Sequence, residues 1–267
     1  QVQLRNTKVT VELEGDYYGQ EFWEKVSSRK YEPDTVGFLE DRCGPNTDFM
    51  DIGAANGAMT LIAASSGARV SAYEPDPRIH RVVQQNIHLN SQLKSSVILQ
   101  NKAISSTKGK LNFLNGEDSS VISSIVFTGH DESSCVEIDI CQLDEEIEMF
   151  HQDKSRKLIV KMDIEGAEWK ILKSDMTLES LRINETTLLL AVHPGFYRPF
   201  VPKVRGLDRI RLAIWQLRNY RESIEVFNKL EKYTTIQRTN LNPITRKHQF
   251  AALVLAGYHE FILEFTK

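Results

Sequence analysis

Cysteine is scarce in this chain of 267 residues: Cys43, Cys135 and Cys141 are the only ones, an odd number with no CxxC pair. Such usage argues against a disulfide framework and against a cysteine-built zinc site, and leaves reduced, buried thiols as the expectation. Long apolar runs are missing too. None approaches the roughly 18 to 20 residues that span a bilayer, and no signal peptide opens the chain. A cytoplasmic location is therefore expected. Because the chain starts at Gln1 rather than Met, it is expected to be a piece of a longer polypeptide. Neither sign of charge dominates: 33 basic residues face 36 acidic ones, a net −3. That balance provides no surface-wide footprint for nucleic acid, so no nucleic-acid partner is expected. The local basic group Lys203, Arg205, Arg209 and Arg211 is taken as a solvated helix start.

What is present is an ordinary globular composition, 41% apolar and 26% charged, in a length that suits one α/β domain with an extension. Residues 1–46 are expected to form an N-terminal arm and helix packing on the core, and residues 47–267 the principal domain. In the arm, Pro33 can sit in the first turn of a helix whose apolar face is Val36, Phe38 and Leu39. Strands are predicted at residues 47–52, 69–73, 97–99, 158–162 and 187–192, with helical patterns after the first, second and fourth. Alternation at residues 110–114 and 135–140 predicts an added β-ribbon around a Ser/Gly-rich excursion. Leu207, Ile210, Ile214, Leu217, Ile224, Phe227 and Leu230 mark a long amphipathic helix whose task is packing. Residues 234–237 and 249–255 are predicted to close the chain as two strands, an antiparallel edge. Strands alternating with helices give a doubly wound, mostly parallel, Rossmann-like sheet. No repeat or low-complexity tract competes with that order.

In such sheets ligands bind beyond the carboxyl ends of the strands. Three segments with chemistry fall there. The first is Asp51-Ile52-Gly53-Ala54-Ala55-Asn56-Gly57, a tight strand-to-helix turn in which the glycines permit close backbone approach. The second is Glu74-Pro75, a carboxylate at a strand tip that suits the two hydroxyls of a ribose. A nucleoside ligand follows. A dinucleotide turn has the form G-x-G-x-x-G, whereas this one is G-x-x-x-G with Asp51 two positions before it. An acid there is an awkward neighbour for pyrophosphate but suits a ligand bearing an ammonium and a sulfonium, so S-adenosyl-L-methionine is favoured. The third segment, residues 161–168, ends a buried strand in Asp163, Glu165 and Glu168. Like charges held together should face a cation or water; Glu168 is accounted for as an acid at a helix start, Asp163 is not.

Together, Tyr31-Glu32-Pro33-Asp34-Thr35, the Asp51-to-Thr60 segment, Tyr73-Glu74-Pro75, Asn101-Lys102-Ala103-Ile104, Leu143-Asp144, Lys161-Met162-Asp163-Ile164-Glu165-Gly166-Ala167-Glu168 and His193-Pro194 resemble the FkbM-type S-adenosylmethionine-dependent methyltransferases. The resemblance implies a class I methyltransferase fold and O-methylation of a hydroxyl, often on a sugar. It also implies roles: Gly53 and its neighbours around the methionine part, Glu74 on the ribose, Ala103 at the adenine edge, and Asp163 at the reacting end. Glu32, Thr35, Asp51, Ala54, Ala55, Asn56, Gly57, Thr60, Pro75 and Asn101 complete the expected cofactor set. Members often carry an acid two positions before the strand-end histidine, where this chain has Ala191.

An alcohol needs a base to become a nucleophile, and Asp163, Glu165 and His193 are the candidates. His193 is preferred, since imidazole titrates nearest neutrality. The same three could instead hold a divalent ion that acidifies the hydroxyl, which is the less favoured reading. Residues 115–134 and 193–198, with Phe196 and Tyr197, are expected to select a small-molecule or glycan acceptor. Two rivals share the sheet: a nicotinamide-dependent oxidoreductase and a non-catalytic S-adenosylmethionine-binding module.

Overall fold

The computed structural model describes residues 1–4, 7–13, 19–114, 135–164, 167–193, 206–240, 242–258 and 260–266. The arm begins as a two-stranded hairpin, β1 (Val2–Gln3) and β2 (Lys8–Val9), and continues through α1 (Gly19–Ser27) to α2 (Pro33–Arg42). The sequence reading did not anticipate α1, yet it buries Phe22, Trp23 and Val26 on one face. Pro33 opens α2 as expected, after Glu32 in a left-handed conformation at φ 37°.

The core then alternates: β3 (Thr47–Ile52), α3 (Ala58–Ser65), β4 (Arg69–Tyr73), α4 (Pro77–His88) and β5 (Val97–Gln100). A side sheet follows, made of β6 (Ala103–Ser105), β7 (Gly109–Leu114) and β8 (Cys135–Gln142), in the order β6-β8-β7. The expected ribbon is its β7–β8 pair; residues 115–134 lie outside the described residues. After α5 (Leu143–Phe150) come β9 (Lys157–Met162), α6 (Glu168–Leu172), α7 (Asp175–Ile183), β10 (Thr187–Ala191), α8 (Gly206–Leu230), β11 (Thr234–Arg238), α9 (Lys247–Leu255) and β12 (Glu260–Phe265). The main sheet has the order β11-β12-β10-β9-β3-β4-β5. From β10 to β5 every pairing is parallel, and β12 runs antiparallel to both neighbours. This is the expected doubly wound, mostly parallel, Rossmann-like sheet, and its strand order reverses between β3 and β9.

Successive residues of a strand face opposite sides, and because both faces are covered the middle strands are mostly apolar, with charged residues such as Asp48, Asp51 and Lys161 toward their ends. On one side Phe49, Val70, Ala72, Ile159, Leu189 and Ile262 pack with α1, α2 and α3 residues such as Trp23, Leu39 and Leu61. On the other, Met50, Ile52, Val160, Met162, Leu188 and Leu263 meet Ile147, Leu178, Phe227 and Phe250. At the amino ends of the strands, buried Asp48 holds β3 to its surroundings: Arg69 donates from 2.6 Å, His151 lies at 2.9 Å, and Arg156 donates as well. Burial alone would raise this carboxyl, but hydrogen bonds from His151, Arg69 and Arg156 outweigh it and hold Asp48 at about 2.

Two expectations fail, the strand at residues 249–255 and the packing role of the whole α8 stripe. Residues 249–255 form a helix, α9, not a strand; the final strand is Glu260–Phe265. A short apolar run fits either state by pattern, and here Phe250, Ala251 and Val254 turn together toward α8 and the core. The helix expected after β9 is present and ends at Leu172; a second one, α7, follows it, with Ser174 accepting from the Thr177 amide. The apolar stripe of α8 is only half used for packing. Phe227 and Leu230 are buried, whereas Ile210, Ile214 and Leu217 are exposed.

Candidate active site

The glycine turn sits where β3 hands over to α3. Gly53 (φ +84°), Ala55 (φ 50°) and Gly57 (φ +85°) are left-handed, so the turn doubles back tightly. Its amides are tied to the next strand: Gly53 and Ala54 both donate to the Tyr73 carbonyl at 3.0 Å. A Cβ on Gly53 would lie 2.0 Å from the Asp163 carbonyl oxygen, and one on Gly57 would lie 3.0 Å from Val83 Cγ1. Packing against backbone thus requires a glycine at position 53, whereas at position 57 the left-handed backbone is the main reason for one. Asp51, at the tip of β3, is fully buried; Thr60 donates to its Oδ2 at 2.6 Å. Asp51 Oδ1 and Asn56 Nδ2 are buried with no hydrogen-bond partner among the described residues. Burial, first of all, raises the Asp51 carboxyl, against the pull of Lys161 and Thr60.

Glu74 ends β4 next to this turn. Its Oε2 accepts from the Ala55 amide at 3.0 Å and its Oε1 from the Asp76 amide at 2.9 Å. Each oxygen keeps a second lone pair. Burial pushes this carboxyl up to about 8, although both amides oppose the shift. Asn101 clamps the tip from the β5 side, donating to the Glu74 and Pro75 carbonyls at 2.8 and 3.0 Å. Ala103, two residues on, is buried on the side sheet against Ile138.

The end of β9 supplies the third group. Asp163 donates its amide to the Ile52 carbonyl at 3.0 Å, which seats it beside the glycine turn. Lys161 Nζ approaches Asp163 Oδ2 at 3.1 Å. His193, just past β10, points Nδ1 at Glu168 Oε1 (3.4 Å) and Asp163 Oδ1 (3.6 Å). Glu168 also accepts from the Ile164 amide at 3.1 Å. It is fully buried, so the reading of it as a solvated acid at a helix start is corrected: it stands at the first turn of α6 but faces inward. Glu165, the carboxylate expected in that place, lies outside the described residues, as do residues 194–198. The basic group fares similarly: Lys203 and Arg205 lie outside them, and so do the side chains of Arg209 and Arg211. Asp163, Glu168 and His193 offer ligand atoms within 4.8 Å of one another, a hard donor set with one imidazole that could hold a divalent ion. Glu32 and Thr35 face a cavity they share with Lys161, Ala191, Thr239 and Glu260. Burial foremost, then Glu32, Asp34 and Asp163, push Glu260 up to about 7 against Lys161.

The family described as Methyltransferase FkbM domain matches residues 51–221, from the tip of β3 into α8. The chain belongs to this family. It is therefore an S-adenosylmethionine-dependent methyltransferase. No curated protein sequence matches it. Among solved structures it is similar to a SAM-dependent O-methyltransferase from Thermotoga maritima, with 13% identity over 91% of this chain and 70% of that one and a TM-score of 0.41. A precorrin-6y C5,15-methyltransferase from Geobacter metallireducens has 10% identity over 100% and 98% of the two chains, with a TM-score of 0.37. A tRNA (m1A58) methyltransferase from Aquifex aeolicus has 12% identity over 87% and 68%, with a TM-score of 0.36. Likenesses this distant say nothing about the acceptor. Among the described residues of this FkbM domain protein, no helix is long and apolar enough to cross a membrane.

The FkbM site fits its cofactor by an observation of its own. A buried, unpartnered carboxylate oxygen on Asp51 and a buried, unpartnered amide donor on Asn56 complement the ammonium and carboxylate of a methionine group, and leaving both unmet would be costly.

Proposed function

We propose that this FkbM domain protein is an O-methyltransferase whose acceptor is a hydroxyl of a sugar or glycan, and that His193 takes the acceptor's proton. The observation that carries the reading is the approach of His193 Nδ1 to two carboxylates, Glu168 and Asp163, at the strand ends beside the glycine turn. Carboxylates on one ring nitrogen fix the tautomer and orientation of an imidazole and stabilise its protonated form. The other nitrogen then serves the acceptor. On the cofactor side, Asp51 and Asn56 hold the methionine group, Glu74 takes the ribose, and Asn101 keeps the Glu74 strand tip in place. Residues 47–267 form the catalytic unit, with residues 1–46 packed on it and contributing Glu32 and Thr35.

The cofactor, when bound, supplies an electrophilic methyl on a cationic sulfur, and its loss as a neutral thioether needs no proton. The protein's work is to align the acceptor oxygen, exclude water and receive one proton. A divalent ion at Asp163, Glu168 and His193 is an alternative way to acidify the hydroxyl, and exhaustive chelation distinguishes the two.

The test is transfer of a labelled methyl from S-adenosylmethionine to a panel of sugars and glycans, with the product's methyl located by NMR. A methyl on oxygen is expected; a methyl on nitrogen or carbon overturns the reading. With the acceptor found, His193→Ala should lower kcat by about 10²- to 10⁴-fold and leave S-adenosylhomocysteine affinity nearly unchanged. An alanine variant with undiminished kcat removes His193 from the reaction.

A further inference from the structure

Lys161 has a position that packing alone does not explain. It lies on β9, in register with Asp51 of β3 on one side and Leu189 of β10 on the other, so its side chain leaves the sheet on their face. Two residues earlier on the strand, that face carries Ile159, and Leu189 and Ile262 flank it in the same apolar layer. An apolar side chain would continue that layer. Instead an ammonium with only 6% of the residue exposed is placed there, 3.1 Å from Asp163 Oδ2. Replacing buried ion pairs by apolar groups is often neutral or stabilising, so stability is a weak reason for this charge.

We propose that Lys161 is a positioning residue for methyl transfer: from inside the sheet it anchors the Asp163 carboxylate at the reacting end of the cofactor and offsets the charge of Asp51 beside it. The inference rests on the proposed methyltransferase reading and on the place at the reacting end that the family resemblance implies for Asp163. The other groups facing the lysine across its cavity are Glu32 and Thr35 before and in α2, Thr239 beyond β11, and Glu260 on β12. Among the described residues, Lys161 is the cation of that lining. It touches neither methyl donor nor acceptor in this scheme and acts through Asp163.

S-adenosylmethionine and S-adenosylhomocysteine differ by one methyl and one positive charge, so the ratio of their affinities reports the field at the sulfur and needs no acceptor. Both are titrated calorimetrically into the native chain, Lys161→Met, Asp163→Asn and the double variant. As a mere charge in the field, Lys161 would repel the sulfonium, and its removal would favour S-adenosylmethionine. As the anchor of Asp163, its removal should lower the preference for S-adenosylmethionine about tenfold, as Asp163→Asn does. The double variant should then fall within about threefold of Asp163→Asn, because contacting residues that act as a unit are not additive. An unchanged or raised ratio in Lys161→Met, or a double variant equal to the product of the singles, overturns the proposal. An unchanged ratio in Asp163→Asn instead overturns the placement of Asp163 itself. Should Lys161→Met not fold, lysine-selective ¹⁵N spectra decide: the Lys161 ammonium must shift on S-adenosylhomocysteine binding in the native chain and stay in place in Asp163→Asn. Equal shifts in both overturn it.

Discussion

Gly53→Ala and Gly57→Ala form a matched pair, because both glycines are left-handed, at φ +84° and +85°. For an alanine that conformation costs about 1–2 kcal/mol at either site. The surroundings differ. At position 57 the new Cβ meets Val83 Cγ1 at 3.0 Å, a side-chain methyl that can give way; at position 53 it meets the Asp163 carbonyl oxygen at 2.0 Å. That oxygen belongs to the backbone leaving β9, so β3 and β9 must part locally by about 1 Å or more, an overpacking cost of about 1–3 kcal/mol. The totals are about 2–5 kcal/mol for Gly53→Ala and about 1–2 kcal/mol for Gly57→Ala. At roughly 2 °C per kcal/mol for a chain of this size, thermal unfolding should fall by about 4–10 °C and about 2–4 °C. Since the displaced segment carries Asp163, calorimetry should also show S-adenosylhomocysteine bound at least about tenfold more weakly by Gly53→Ala. Equal losses in the two variants, or a Gly53→Ala protein that melts and binds like the native one, would refute the packing argument.

Three further outcomes are expected. Asp48 is held at about 2 against an ordinary 3.8, so its contribution is complete above pH 4 and is lost as pH falls toward 2, at most about 2 kcal/mol; Asp48→Asn should lose about 3 kcal/mol at neutral pH by stranding its buried partners, and urea unfolding at several pH values checks both. Glu74 lies at about 8 rather than 4.5, so the unfolded chain releases this proton first and the ligand-free protein should lose stability as pH rises from about 4.5 to 8, by an upper bound of about 4–5 kcal/mol; melting curves of Glu74→Gln should show a shallower decline, and an identical one would sink the assignment. Phe250→Ala should cost about 3–5 kcal/mol, because this ring is fully buried among Phe227, Phe261 and Trp169; a loss under about 1 kcal/mol in chemical denaturation would contradict the packing of α9.

Much of the site was legible because strand ends mark themselves. Asp51 with Gly53 and Gly57, Glu74-Pro75, and Asp163 each follow an apolar run that stops at a polar or conformationally special residue, and the structure brings all of them to one end of the sheet. Glu168 was misjudged, because an acid at a helix start has an ordinary explanation; only the fold shows it turned toward His193. Lys161 passed as the lead-in to a motif for the same reason. At the carboxyl-terminal end, the run Ala251-Ala252-Leu253-Val254-Leu255 is compatible with strand or helix. The order of β11, α9 and β12 was settled by which run could pair beside β10.

Taken alone, the sequence determined the alternation of strands and helices, the glycine turn, the carboxylates at the strand tips and the family, because each is a local pattern of period, turn or spacing. Tertiary structure decided the rest: which faces of α8 are covered, that Gly53 must lack a Cβ to clear Asp163, that Glu74 is pinned by the Ala55 and Asp76 amides, and that Lys161 lies beside Asp51. These depend on residues far apart in the chain whose approach is set by strand register and burial, and no local pattern encodes a distance between them.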